Sequence, residues 1–163
     1  MSRSKQTFSW GRLLIAIIIC QMAGAIGSLF TFSQIPTWYA GLVKPAWNPP
    51  GWIFGPVWTM LYTLMGIAAY RIWLKSMSKE PVRIAICLFA SQLVFNSLWS
   101  IIFFDMHNTG AAFIEILMLL GLILGTTGMF FRLDRLSGYL MVPYILWVSF
   151  ATLLTYTIWS LNP

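Results

Sequence analysis

The stretch LLIAIIICQMAGAIGSLFTF, Leu13–Phe32, runs for twenty residues without a charged side chain. As a helix it rises 1.5 Å per residue, enough to cross a hydrocarbon core of about 30 Å, and it satisfies its own backbone hydrogen bonds where no water can. Arg3, Lys5 and Arg12 precede it, as in a cleaved signal peptide. Its apolar length exceeds the roughly 7–15 residues usual in such a peptide, so it reads as a first span. Ile53–Tyr70, Ile84–Phe104 and Ser137–Pro163 repeat the pattern, and Thr109–Phe131 does so interrupted only by Glu115. With 59% of its 163 residues hydrophobic and 9% charged, the chain departs far from soluble domains, where about a quarter carry charge. The expected fold is an all-α integral membrane protein, a single domain over 1–163, with five transmembrane helices near 11–33, 53–74, 82–104, 109–131 and 138–161.

Nine of the ten basic residues fall in alternate hydrophilic segments: Arg3, Lys5 and Arg12, then Arg71, Lys75, Lys79 and Arg83, then Arg132 and Arg135; Lys44 stands alone on the other side. Lys and Arg concentrate on the cytoplasmic side of membrane proteins. The chain is therefore expected in the cell membrane, multi-pass, with its amino terminus cytoplasmic. The net charge of +6 reads as topology, and scattered loop ends make no groove for nucleic acid. Cys20 and Cys87 lie inside apolar runs, where a thiol is usually just a small buried side chain, and the single histidine, His107, rules out paired axial histidines on a haem iron within one chain. No metal site, paired carboxylates, nucleophile elbow or phosphate loop is present, which removes hydrolytic and nucleotide-driven functions.

One connection is long. From Ser33 to Trp52 it holds Pro36, Pro45, Pro49, Pro50, Gly41 and Gly51, so no continuous helix runs through it. Trp38, Tyr39, Trp47 and Trp52 supply too much aromatic surface for it to stay in water; it forms either an interfacial aromatic belt or a lid folded over the bundle end. Neither an internal repeat nor an even span count points to a secondary transporter. Ala23 and Gly27, Gly24 and Ser28, and Gly121 and Gly125 stand four apart and permit close helix packing within one chain or between two.

Polar groups within the spans are few, and each needs a partner. Gln92, Asn96, Trp99 and Phe103 share one helical face; Trp58, Tyr62 and Met65 form a second stripe, and Tyr144, Trp147, Ala151 and Thr155 a third. Such faces line an apolar cavity for a flat ligand, or fill the core between helices. Asn96 serves a ligand or glues two helices, and Glu115, the one ionisable group well inside a span, is a functional candidate or a structural hydrogen bond.

Read together, Trp38-Tyr39-x-x-Leu42-x-Lys44-Pro45-x-Trp47-x-Pro49-Pro50-x-Trp52-x-x-Gly55-Pro56-Val57-Trp58-x-x-Leu61-Tyr62 resembles the signature of the translocator protein family, whose bacterial members are called tryptophan-rich sensory proteins. Gln92-Leu93-x-x-Asn96-x-x-Trp99 and Pro143-Tyr144-x-x-Trp147-x-x-Phe150-Ala151-Thr152 continue it to the end of the chain. The resemblance implies a five-helix bundle, often a homodimer, with a cavity opening under the first loop, and tetrapyrroles such as protoporphyrin IX as ligands or as substrates of light-dependent oxidative breakdown. No cofactor is required. It places Trp58 and Trp147 in the catalytic role and Asn96 as a hydrogen-bonding residue. Trp38, Tyr39, Trp47 and Pro49 fall on the lid, and Tyr62, Phe95, Trp99, Phe150 and Ala151 on the walls.

In two places the chain departs from the pattern. Ala151-Thr152-Leu153-Leu154-Thr155 ends on a hydroxyl where many members carry an asparagine, and no Lys or Arg follows Tyr156, so the weak sterol motif is absent there. The alternatives to chemistry on a porphyrin are a ligand-responsive sensor and a sterol- or lipid-binding protein.

Overall fold

The computed structural model describes residues 8–75 and 77–163, so Arg3 and Lys5 of the charge argument lie outside it. Among the described residues, five helices are long and apolar enough to cross a membrane. The first, α1, is Trp10–Thr31, and it opens on Ser9, whose side chain accepts from the Arg12 amide. A short α2, Trp38–Gly41, lies in the first connection. A 3-10 turn at Gly51–Ile53 leads into α3, Phe54–Trp73. The next, α4, is Glu80–Ser100, entered through Pro81 in its first turn, where a missing N–H costs nothing. It ends in a π-helical turn, Ile101–Asp105, closed by Met106 N donating to the Ile101 carbonyl at 3.0 Å. Asn108 caps α5, Thr109–Leu133, by accepting from the Ala111 amide at 2.9 Å.

A single residue, Asp134, separates α5 from α6, Arg135–Leu161. Its Oδ2 accepts from the Ser137 amide at 3.0 Å and from the Ser137 hydroxyl at 2.7 Å, satisfying donors that a helix start leaves orphaned. The same carboxylate takes Nε of Arg71 on Oδ2 at 2.7 Å and Nη2 on Oδ1 at 3.0 Å, tying the end of α3 to this corner. Arg71 and the Ser137 donors hold the Asp134 carboxyl well below the usual carboxylate range.

The spanning helices form a closed ring in the order α1, α3, α6, α5, α4 and back to α1. Seven basic residues, Arg12, Arg71, Lys75, Lys79, Arg83, Arg132 and Arg135, mark one end; the first connection and the α4–α5 turn mark the other, here the loop end. At the basic end the ring is filled. Met65, Ile72, Ala85, Ile123, Phe130 and Met141 are each 0% exposed, and Phe89 stacks on Phe130 with centroids 5.7 Å apart. Gly66 is what lets α1 and α3 close there, since a Cβ at that position would stand 2.6 Å from the Ile17 Cα.

Candidate functional site

Towards the loop end the ring no longer fills, and it encloses a cavity of about 940 Å³. Pockets for drug-sized ligands run from about 300 to 1,000 Å³, so this one lies near the top of that range. Helix α3 contributes Trp58 and Tyr62, α4 contributes Asn96 and Trp99, and α6 contributes Trp147, Ala151 and Thr155. The stripes recognised in the sequence are thus wall at one end and core at the other. Met65, Gln92 and Tyr144, each 0% exposed, continue them into the packed half.

The floor is a chain of hydrogen bonds across three helices. The Tyr62 hydroxyl donates to Asn96 Oδ1, and Asn96 Nδ2 donates to the Tyr144 hydroxyl at 2.9 Å. Asn96 therefore joins α3 to α6 and also borders the cavity. Above it stand the aromatic walls. Trp58 stacks on Tyr62 at 5.4 Å and meets Trp147 edge-on at 6.5 Å, while Trp99 stacks on Phe103 at 5.0 Å. The indole nitrogens of Trp99 and Trp147 are buried and have no hydrogen-bond partner among the described residues. A buried N–H without an acceptor costs roughly 1–3 kcal/mol, so each is a polar group that the packed wall leaves unsatisfied. Both carboxyl oxygens of the buried Glu115 also lack a partner among the described residues, and its neighbour Ile116 lines the cavity.

Among the remaining named residues, Tyr39 also lines the cavity, but Trp38, Trp47, Pro49, Phe95 and Phe150 do not. Trp38 stacks on His107 with centroids 4.3 Å apart, and Trp47 packs edge-on against Phe150 at 5.7 Å. The Pro49 carbonyl accepts from Asn48 Nδ2 at 3.1 Å, and Phe95 packs half-buried against the main core. The first connection is pinned along its length. Lys44 Nζ donates to the carbonyls of Tyr39, Ala40 and Leu42, at 2.6, 3.1 and 2.8 Å. Asn162 at the end of α6 clamps Val43 by accepting from its amide at 3.0 Å and donating to its carbonyl at 2.9 Å. Burial raises the Tyr39 phenol above its ordinary range, and its hydrogen bond to Asn48 Oδ1 at 2.7 Å partly offsets this.

The sequence reading left out the contribution of α1, which supplies Gln21, Gly24, Gly27, Ser28 and Thr31. Gln21, Gly24, Ser28 and Thr31 follow spacings of three, four and three, a small and polar stripe in an otherwise apolar helix. That spacing was the available signal; read for helix packing alone, it does not reveal a wall.

The model of the TspO/MBR family matches residues 16–160. The chain is 41% identical over 151 residues to the tryptophan-rich protein TspO of Chlorobaculum tepidum, covering 93% of this chain and 96% of that one. It is 37% identical over 139 residues to the translocator protein of Homo sapiens, covering 84% and 82%, and 36% identical over 149 residues to the protein CrtK of Rhodobacter capsulatus, covering 91% of each. With the family's pattern spread over nearly the whole chain, and five spanning helices arranged around an aromatic cavity, this protein belongs to the TspO/MBR family.

Proposed function

We propose that this membrane protein binds tetrapyrroles of the protoporphyrin IX class in the loop-end cavity. The observation that carries the reading is the cavity itself: apolar, large enough for a flat macrocycle, and walled by Trp58, Trp99 and Trp147 from three different helices. Indole rings stack on planar π systems, which suits walls of this composition to the flat face of a porphyrin. Illumination of the bound ligand would place an excited macrocycle beside Trp58 and Trp147, and light-dependent oxidative breakdown, with dissolved oxygen as oxidant, is the chemistry proposed for that pair. The basic end faces the cytoplasm by the positive-inside rule, which puts the cavity in the opposite half of the cell membrane. Assembly as a homodimer belongs to the same proposal, and crosslinking in native membranes tests it.

The experiment is a dark titration of the purified protein with protoporphyrin IX, followed by illumination, beside a Trp58→Phe/Trp147→Phe double variant. Saturable quenching of tryptophan fluorescence is expected, with light-dependent loss of porphyrin absorbance that the double variant lacks. Absence of quenching rejects the binding reading. Binding with equal bleaching in both proteins rejects the chemistry and favours a sensor or carrier.

A further inference from the structure

The shape of the cavity mouth bears on how a ligand reaches it. Helices α1 and α3 are drawn together from the basic end upward, first at Gly66 against Ile17, then where the Tyr62 ring lies against Gly24. At that level Gln21 Nε2 donates to the Thr59 carbonyl at 2.9 Å and to Thr63 Oγ1 at 3.0 Å, closing the seam between the helices. Nearer the loop end the relation changes. Ala25, Ser28 and Phe32 on one side, and Gly51, Trp52 and Gly55 on the other, all line the cavity and yet are exposed, Phe32 at 82% and Trp52 at 74%. A residue can do both only at a mouth. This mouth lies between the loop-end turns of two spanning helices of apolar composition, on the side of the bundle that a bilayer would border.

The way in from water is closed by comparison. Tyr39 and Phe103 are buried over the cavity end, Trp38 is stacked on His107, and the loop is clamped by Asn162. We propose that the cavity is filled and emptied sideways, by planar apolar molecules dissolved in the bilayer, through a cleft between α1 and α3 whose sill is Gln21. The inference rests on the reading that the cavity binds such a ligand, and adds the route. A macrocycle whose flat apolar face already lies in lipid then enters without that face crossing water, and the step that gates it is passage between two helices.

The test is stopped-flow quenching of tryptophan fluorescence by protoporphyrin IX in proteoliposomes at several lipid-to-protein ratios. A Cβ at Gly55 meets nothing within 4 Å, so Gly55→Phe starts from open space at the mouth and adds a ring there, and Ser28→Phe adds one from the other side. Each is expected to slow association and release about 10-fold, whereas Asn162→Ala, which frees the loop, stays within about 2-fold of the parent. The association rate should follow the amount of porphyrin per lipid. Plugs that leave the rates unchanged, or an Asn162→Ala variant that alone accelerates entry, overturn the lateral route. A parent protein that shows no quenching at equilibrium overturns the binding reading itself, so the two failures are distinguishable.

Discussion

The two halves of the bundle are built from the same five helices and end in opposite conditions. At the basic end, glycine and alanine bring backbones together, aliphatic side chains and the Phe89–Phe130 stack fill the centre, and the polar corner is bonded through Asp134. At the loop end the helices carry tryptophan, tyrosine and small polar residues, the centre is hollow, and two indole donors have no partner among the described residues. The contrast separates two uses of one architecture: the filled half sets the spacing of the helices, and the open half spends that spacing on a chamber.

The largest expected effect comes from breaking the filled half. Gly66→Val puts side-chain atoms into the Ile17 backbone, and backbone cannot rotate away. Overpacking of this kind costs about 3 kcal/mol, so thermal unfolding in detergent should shift down steeply, with less folded protein recovered. If Gly66→Val leaves the transition in place, α1 and α3 are not held at that contact.

Next comes the corner. Asp134→Ala removes a cap and both bonds to Arg71, for a loss of about 2 kcal/mol. Asp134→Asn gives its pH signature. Because the native carboxyl titrates below its unfolded value, its contribution is complete above about pH 4 and is lost as pH falls through the native value. The gap in unfolding temperature between parent and Asp134→Asn should be flat from neutral pH down to about pH 5 and close only in stronger acid. A gap that closed near neutrality would refute this assignment.

The open half is probed by its rings. Trp99→Ala and Trp147→Ala each remove one aromatic wall and should weaken protoporphyrin binding about 5- to 10-fold, near 1 kcal/mol. Trp99→Phe and Trp147→Phe, which keep an aromatic face, should stay closer to the parent. Equal losses for the Ala and Phe variants would mean that the aromatic face is not what the wall supplies. Smallest of all, Asn162→Ala should cost about 1 kcal/mol while making the chain near Val43 more sensitive to protease, since it removes the loop clamp and the side chain's bond to the Ile158 carbonyl.

The five spans were legible because hydrocarbon admits so few backbone solutions that an uncharged run almost dictates its own structure. The aromatic stripes were legible too, since spacing along a helix fixes which residues share a face. Spacing does not say how far apart two helices stand at a given depth, which is why Met65 and Trp58, on one stripe, ended in core and wall. The contact of Gly66 with Ile17 and the one-residue α5–α6 connection come from tertiary packing that no local pattern records. Within the first connection the aromatic motif was plain, yet Trp38 and Trp47 turn to His107 and Phe150, partners far away in sequence.

The brevity of the α5–α6 connection also acts as a gear. With Asp134 alone between the two helices, the rotational phase of α6 about its own axis is inherited from α5 and has no slack in which to slip. One residue inserted beside Asp134 would turn α6 by about 100°, carrying Trp147, Ala151 and Thr155 off the wall together while leaving every one of them in the sequence. The composition of the chamber is thus written on its helices, but its alignment is kept by a hinge of one aspartate at the far end of the bundle.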